Sequence, residues 1–147
     1  MLGKTFFMIK PDGLSRNLES EILNRIKKTG LKIIQQKAVW MSVDQAQQLY
    51  SPHQGKSFYP GLIKFITSGP VICAQLEGED AVSRLRNLMG ETDPSKAAAG
   101  TIRGDLSEAD FFTPEGVMKN LVHGSDSPSS AQREITVFFS EEGEQVK

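Results

Sequence analysis

The spacing of apolar positions changes several times along this chain, and each change marks an element. Residues 5–9 form a short continuous apolar run, as a buried strand does. Lys10-Pro11-Asp12-Gly13 closes it with turn chemistry. Leu18, Ile22, Leu23 and Ile26 then recur at helical spacing, and Gly30 stands where a helix ends. Residues 31–41 return to a strand pattern rich in Ile and Val, with Trp40 near its end. Ser42 opens the next helix, and Gln45 completes a capping box ahead of Ala46, Leu49 and Tyr50. A short helix is expected over 60–67, broken by Gly69-Pro70, followed by a strand over 71–76. Ala81, Val82, Leu85 and Leu88 resume helical spacing until Gly90. Residues 91–119 show no period, and a compact domain seldom carries so long an irregular stretch without a functional reason. Residues 120–123 suit a last short strand, and Ser127-Pro128 suits the start of a last helix. Ile135, Val137 and Phe139 alternate as a strand would, while Ala131, Ile135 and Phe138 fit the helix, so the pattern leaves that boundary open. The polar tail 140–147 is expected to fray.

Few strands with helices between them suit an α+β fold, a ferredoxin-like split βαβ sandwich with an antiparallel sheet, extra helices and a long loop before the last strand. A doubly wound parallel sheet is the alternative, but it normally has more strands. The length, 147 residues, fits a single domain over 1–147. At 38% hydrophobic and 24% charged residues the chain can bury a core, which sets aside disorder and coiled coil. Lys plus Arg number 17 against 18 Asp plus Glu, so no excess of positive charge suggests stable nucleic-acid binding. No apolar run is long enough to span a bilayer or serve as a secretory segment, so no membrane association and a cytoplasmic location are expected. Cys73 is the single cysteine, which removes disulfides and paired-cysteine zinc motifs from consideration.

Familiar phosphate motifs fail. Gly55-Lys56-Ser57 resembles the end of a P-loop, but Tyr50 occupies the position that needs the upstream Gly. What remains is a set of scattered polar groups beside turns. Lys10 ends the first strand, Arg86 lies near a helix end just before Gly90-Glu91-Thr92, and Arg103 sits between Gly100 and Gly104. His123 closes the short strand and is followed by Gly124. Each alone is most simply a solvated side chain. Together, in a nearly neutral chain, the cations suggest a polyphosphate pocket.

These stretches carry a resemblance. Residues 9–13, Phe58-Tyr59-Pro60-Gly61-Leu62, Ser68-Gly69-Pro70-Val71, Gly90-Glu91-Thr92, residues 100–105, Asn120 through Ser127 and residues 130–135 are similar, in order, to the nucleoside diphosphate kinase family. The run His123-Gly124-Ser125-Asp126-Ser127 is the most specific of them. The resemblance implies transfer of the γ-phosphate from a nucleoside triphosphate, mainly ATP, to a nucleoside diphosphate. The implied route is ping-pong through a phosphohistidine at His123, maintaining the nucleotide pools. It implies Glu134 as the carboxylate partner of His123 and Tyr50 as a phenol beside it. Lys10, Arg86 and Arg103 would hold phosphates, Thr92 the β-phosphate region, and Lys10 with Asn120 the ribose. Phe58 would stack on the base, with Leu62 beside it. Mg2+ is the implied cofactor, held mainly by nucleotide phosphates and water. A homo-oligomer, tetramer or hexamer, is the implied assembly. The departure is the stretch 106–119, longer than usual for the family and holding Phe111-Phe112. Two adjacent rings in a polar stretch need cover, since burying one Phe gains about 1.5–3 kcal/mol. The stretch is therefore expected to border the nucleotide entrance and touch a neighbouring subunit.

Overall fold

The computed structural model describes residues 2–139, so the tail expected to fray lies outside the described residues. Strands β1 (Leu2–Ile9), β2 (Lys32–Val39), β3 (Val71–Glu79) and β4 (Val122–Gly124) form one sheet in the order β2-β3-β1-β4. Every neighbouring pair is antiparallel. The helices are α1 (Pro11–Ser15), α2 (Glu19–Lys28), α3 (Val43–Leu49), α4 (Tyr59–Ile66), α5 (Ala81–Met89), α6 (Ile102–Leu106) and α7 (Pro128–Phe139). This is the ferredoxin-like α+β sandwich expected from the pattern.

Side-chain alternation along β1 divides the core. Phe6 and Met8 point to one face, where Leu49, Leu62, Ile66 and Phe138 from α3, α4 and α7 cover them. Phe7 and Ile9 point to the other, where Ile22, Ile26, Leu85 and Met89 from α2 and α5 pack. Met8 pairs with Cys73 on one side and His123 on the other. Directly opposed residues share a face. His123 therefore projects toward α3, α4 and α7.

Three local readings change, and one open boundary takes a definite form. Pro11-Asp12-Gly13 belongs to α1 rather than an open turn, because Pro11 fixes a helical φ at the first position. The irregular stretch contains α6, capped by Thr101, whose hydroxyl accepts the Gly104 N–H. The last strand starts at Val122, not Asn120, because Leu121 has φ +74 and leaves the extended region. The last helix takes the helical alternative: Ser127 Oγ accepts the Ser130 N–H, and Phe138 is buried. The Ser42–Gln45 capping box is formed as expected.

Candidate active site

The nucleophile candidate stands on the edge strand. β4 carries His123 between Val122 and Gly124, and both of those are buried under α5. A Cβ on Gly124 would lie 2.8 Å from Met89 Sδ, so α5 packs closely against the strand there and a larger residue would push the Met89 and Leu85 side chains aside. The His123 ring is boxed by Tyr50, edge-on at 5.7 Å, and by Phe6 at 5.9 Å. Its Nε2 lies 2.8 Å from Glu134 Oε1, which also accepts the Ser125 hydroxyl at 2.6 Å. Glu134 reaches this point from the second turn of α7 and is buried. With Nε2–H donated to a carboxylate, the neutral ring carries its free lone pair on Nδ1.

Beside it is a group of cations, Lys10 and Arg103 buried and Arg86 exposed. Arg103 is held by carbonyls: Nε donates to Asn120 at 3.1 Å, and its two Nη to Gly90 at 3.0 Å and Val122 at 2.7 Å. Lys10 Nζ donates to Asn120 Oδ1 at 2.8 Å, and Asn120 Nδ2 donates to the Thr92 carbonyl at 2.8 Å. Arg86 reaches the Gly124 carbonyl at 3.4 Å. Among the described residues none of these cations is ion-paired. Burial, then the nearby Arg103, pushes the Lys10 amine down to about 8. Burial, then Arg86, pushes Arg103 down to about 10. Concentrated, desolvated positive charge is unfavourable until an anion enters. Burial pushes the Tyr50 phenol up, and its buried hydroxyl has no hydrogen-bond partner. It remains available as a donor.

The backbone around this group is strained and pinned. Leu121 sits at φ +74, at a cost of about 1–3 kcal/mol for a non-glycine residue. Its N–H donates to Asp12 Oδ2 at 3.0 Å, and its carbonyl accepts the Lys10 N–H at 2.8 Å. The start of α1 thus fixes the residue between Asn120 and Val122.

Phe58 caps α4 at the opposite end of the same cavity, with its ring 5.5 Å from His53 and 39% exposed. Leu62, one turn along, is buried and also lines the wall, so it serves both core and cavity. The stretch after α6 forms a small hairpin closed by a Phe112–Met118 bridge. Lys64 on α4 pairs with Glu115 at 2.8 Å, and Gly61 lies against Glu115 and Val117. Phe112, Gly116, Val117 and Met118 line the cavity, while Phe111 does not.

Every site residue named from the sequence, from Lys10 to Glu134, lines one cavity of about 410 Å3. That is a volume suited to a small ligand. The sequence reading missed His53, Asp126 and Arg133 on the same wall. His53 was visible only as a histidine far from His123 in the chain. The return of β4 alongside β1 brings both to one cavity. Burial, then Lys56 and His123, pushes the His53 imidazole down.

The family model described as nucleoside diphosphate kinase matches residues 3–143. The nucleoside diphosphate kinase of Sulfurisphaera tokodaii is 50% identical over 143 residues, covering 96% of this chain and 91% of that one. The solved nucleoside diphosphate kinase of Halobacterium salinarum, in complex with CDP, superposes with a TM-score of 0.88 at 40% identity, covering 97% and 90% of the two chains. That of Borrelia burgdorferi, a transition-state mimic with bound vanadate and ADP, superposes with a TM-score of 0.87 at 30% identity, covering 96% and 89%.

Proposed function

The chain belongs to the nucleoside diphosphate kinase family, and from that membership and its cavity we propose that it transfers the γ-phosphate through His123 in two half-reactions. One observation carries the reading. His123 is backed by a buried carboxylate at the edge of a cavity where Lys10, Arg86 and Arg103 make no ion pair among the described residues. In the first half-reaction Nδ1 attacks the γ-phosphorus of ATP. A P–N bond forms, the bond to the β-phosphate oxygen breaks, and the diphosphate leaves with that electron pair. The second half-reaction reverses these steps with a different nucleoside diphosphate. Glu134 keeps Nε2 protonated and the tautomer fixed.

The transition state spreads charge over the phosphoryl oxygens, so positioned donors supply most of the catalysis. Arg103, Arg86, Lys10 and the Tyr50 hydroxyl are the donors at hand. Thr92 serves the β-phosphate and Asn120 with Lys10 the ribose. Phe58, with Leu62 beside it, offers a face on which any base stacks, which suits broad base tolerance. Among the described residues no three His, Cys, Asp or Glu side chains converge as a metal site. Mg2+ would arrive with the nucleotide, held mainly by its phosphates and water.

The wider reading is a single catalytic domain in a cytoplasmic homo-oligomer, tetramer or hexamer, that sustains nucleotide pools. The stretch 106–119 reaches a neighbouring subunit in that assembly. No helix among the described residues is long and apolar enough to cross a membrane.

The test mixes protein with γ-labelled ATP and Mg2+, then chases with a different diphosphate. The wild type should hold an acid-labile, alkali-stable label and surrender it to the chase. His123→Ala should take no label while keeping its fold. Label that persists in that variant would move the nucleophile elsewhere.

A further inference from the structure

Glu134 has a third partner that no sequence pattern announced. Its Oε1 serves His123 and Ser125, while Oε2 lies 3.3 Å from Nη2 of Arg133, the residue before it. Consecutive residues on a helix point about 100° apart and do not normally meet. The cause of this contact lies on α3. Nη1 of Arg133 donates to the Gln48 carbonyl at 2.7 Å and the Leu49 carbonyl at 3.3 Å. These are the last carbonyls of α3, where helical donors run out and the helix dipole favours a cation. The next residue is Tyr50, whose ring stands edge-on to His123. One planar guanidinium, with donors on two sides, thus spans the two elements that flank the His123 ring.

We propose that Arg133 is a positioning residue for phosphoryl transfer, locking the Glu134 carboxylate and the Tyr50 end of α3 in one arrangement about His123. This rests on the reading of His123 as the phosphoryl carrier. The carboxylate must accept Nε2–H in a fixed place for Nδ1 to stay free and aimed. Without Arg133, Oε2 loses its partner and α3 loses this hydrogen-bonded tie to α7. Misplacement of a reacting group by a fraction of an ångström to an ångström lowers the rate far more than it weakens binding.

Arg133→Met tests this, because it keeps the length and removes the donors. The expected result is a fall in kcat of about tenfold, with KM for ATP and for the diphosphate within about twofold of wild type. The second readout needs no turnover. In 15N-histidine-labelled resting protein, His123 should be the single Nε2–H tautomer in the wild type and a mixture in the variant. Arg133→Lys, whose ammonium cannot bridge both partners as the guanidinium fork does, should fall between the two in kcat. It also stands in for the test if the Met variant does not fold. A KM increase with kcat unchanged would make Arg133 a substrate-binding cation and overturn the proposal. An unchanged kcat and tautomer would overturn it as well. A wild type that takes no label from γ-labelled ATP fails the phosphohistidine reading itself. A wild type that labels normally beside an unaltered Arg133→Met fails only the present inference.

Discussion

At the inner end of the cavity Lys10, Arg103, Asn120 and Glu134 are each less than a tenth exposed, and each is hydrogen-bonded to a partner already in place. At the mouth Phe58 is 39% and Phe112 is 50% exposed, and the hairpin carrying Phe112 is tied to α4 by a surface ion pair. The inner end has its geometry fixed before any ligand arrives, at the expense of desolvated charge. The mouth has open apolar surface and few constraints. Preorganised donors aimed at developing charge lower a barrier, while open rings only strengthen binding. The two regions should therefore answer to different kinetic constants.

The strongest way to break that division is at Arg103. Arg103→Ala removes a guanidinium proposed to act on the transferring phosphoryl group, and it releases the Gly90, Asn120 and Val122 carbonyls around His123. Steady-state kinetics should show kcat lowered by ~10²-fold or more, with a smaller change in KM. A loss confined to KM would place Arg103 among the binding groups and erase the distinction.

Phe58→Ala probes the mouth and should have a smaller effect of the opposite kind. A stacking face is worth roughly 1–3 kcal/mol, so KM should rise by about tenfold, alike for adenine, guanine and pyrimidine diphosphates. Turnover at saturation should change little. Equal effects on kcat and KM would mean that the ring also aligns the phosphates, and the mouth would then share the work of the inner end.

The sequence made these two regions legible to different degrees. The continuous apolar run from Phe6 to Ile9 identified β1, and the strand's period of two is what divides the core between the two faces. His123 and Glu134 emerged as site residues through the family resemblance that residues 120–127 and 130–135 carry. The helices α1 and α6 did not emerge, because five residues span too few turns to show a period. The C-terminal ambiguity arose because Ile135, Val137 and Phe139 satisfy the strand period while Ala131, Ile135 and Phe138 satisfy the helical one. Packing of Phe138 against Phe6, with ring centroids 5.2 Å apart, accompanies the helical choice. The left-handed Leu121 had no signal, because its backbone is set by Asp12 and Lys10, more than a hundred residues earlier. His53 and Arg133 escaped for the same reason. Their roles depend on which elements meet, and a single sequence shows that only where the period is strong.

The mildest perturbation, and the sharpest for the comparison, is alkaline pH acting on Lys10. Burial and the neighbouring Arg103 bring its amine from 10.5 down to about 8, so in the free protein its charge is lost as pH rises through that value. The sign for stability follows: the buried charge weakens the fold below pH 8. That cost is relieved between about pH 8 and 10.5, so the Lys10 contribution to stability rises with pH there. For ligand binding the sign is reversed. Nucleotide phosphates favour the charged amine and draw its pKa back up, so binding near pH 8–9 should take up protons. Calorimetry with ADP in two buffers of different ionisation heat should detect that uptake at pH 8.5 and little of it at pH 6.5. The diphosphate KM should rise by about threefold to tenfold between pH 7.5 and 9. His53 beside the stacking face is held below its ordinary imidazole value, so it does not titrate in that range and the ratio of Phe58→Ala to wild-type KM should stay the same across it. A flat KM with no proton uptake would show that Lys10 keeps its charge throughout, and that the inner end is better solvated than its burial implies.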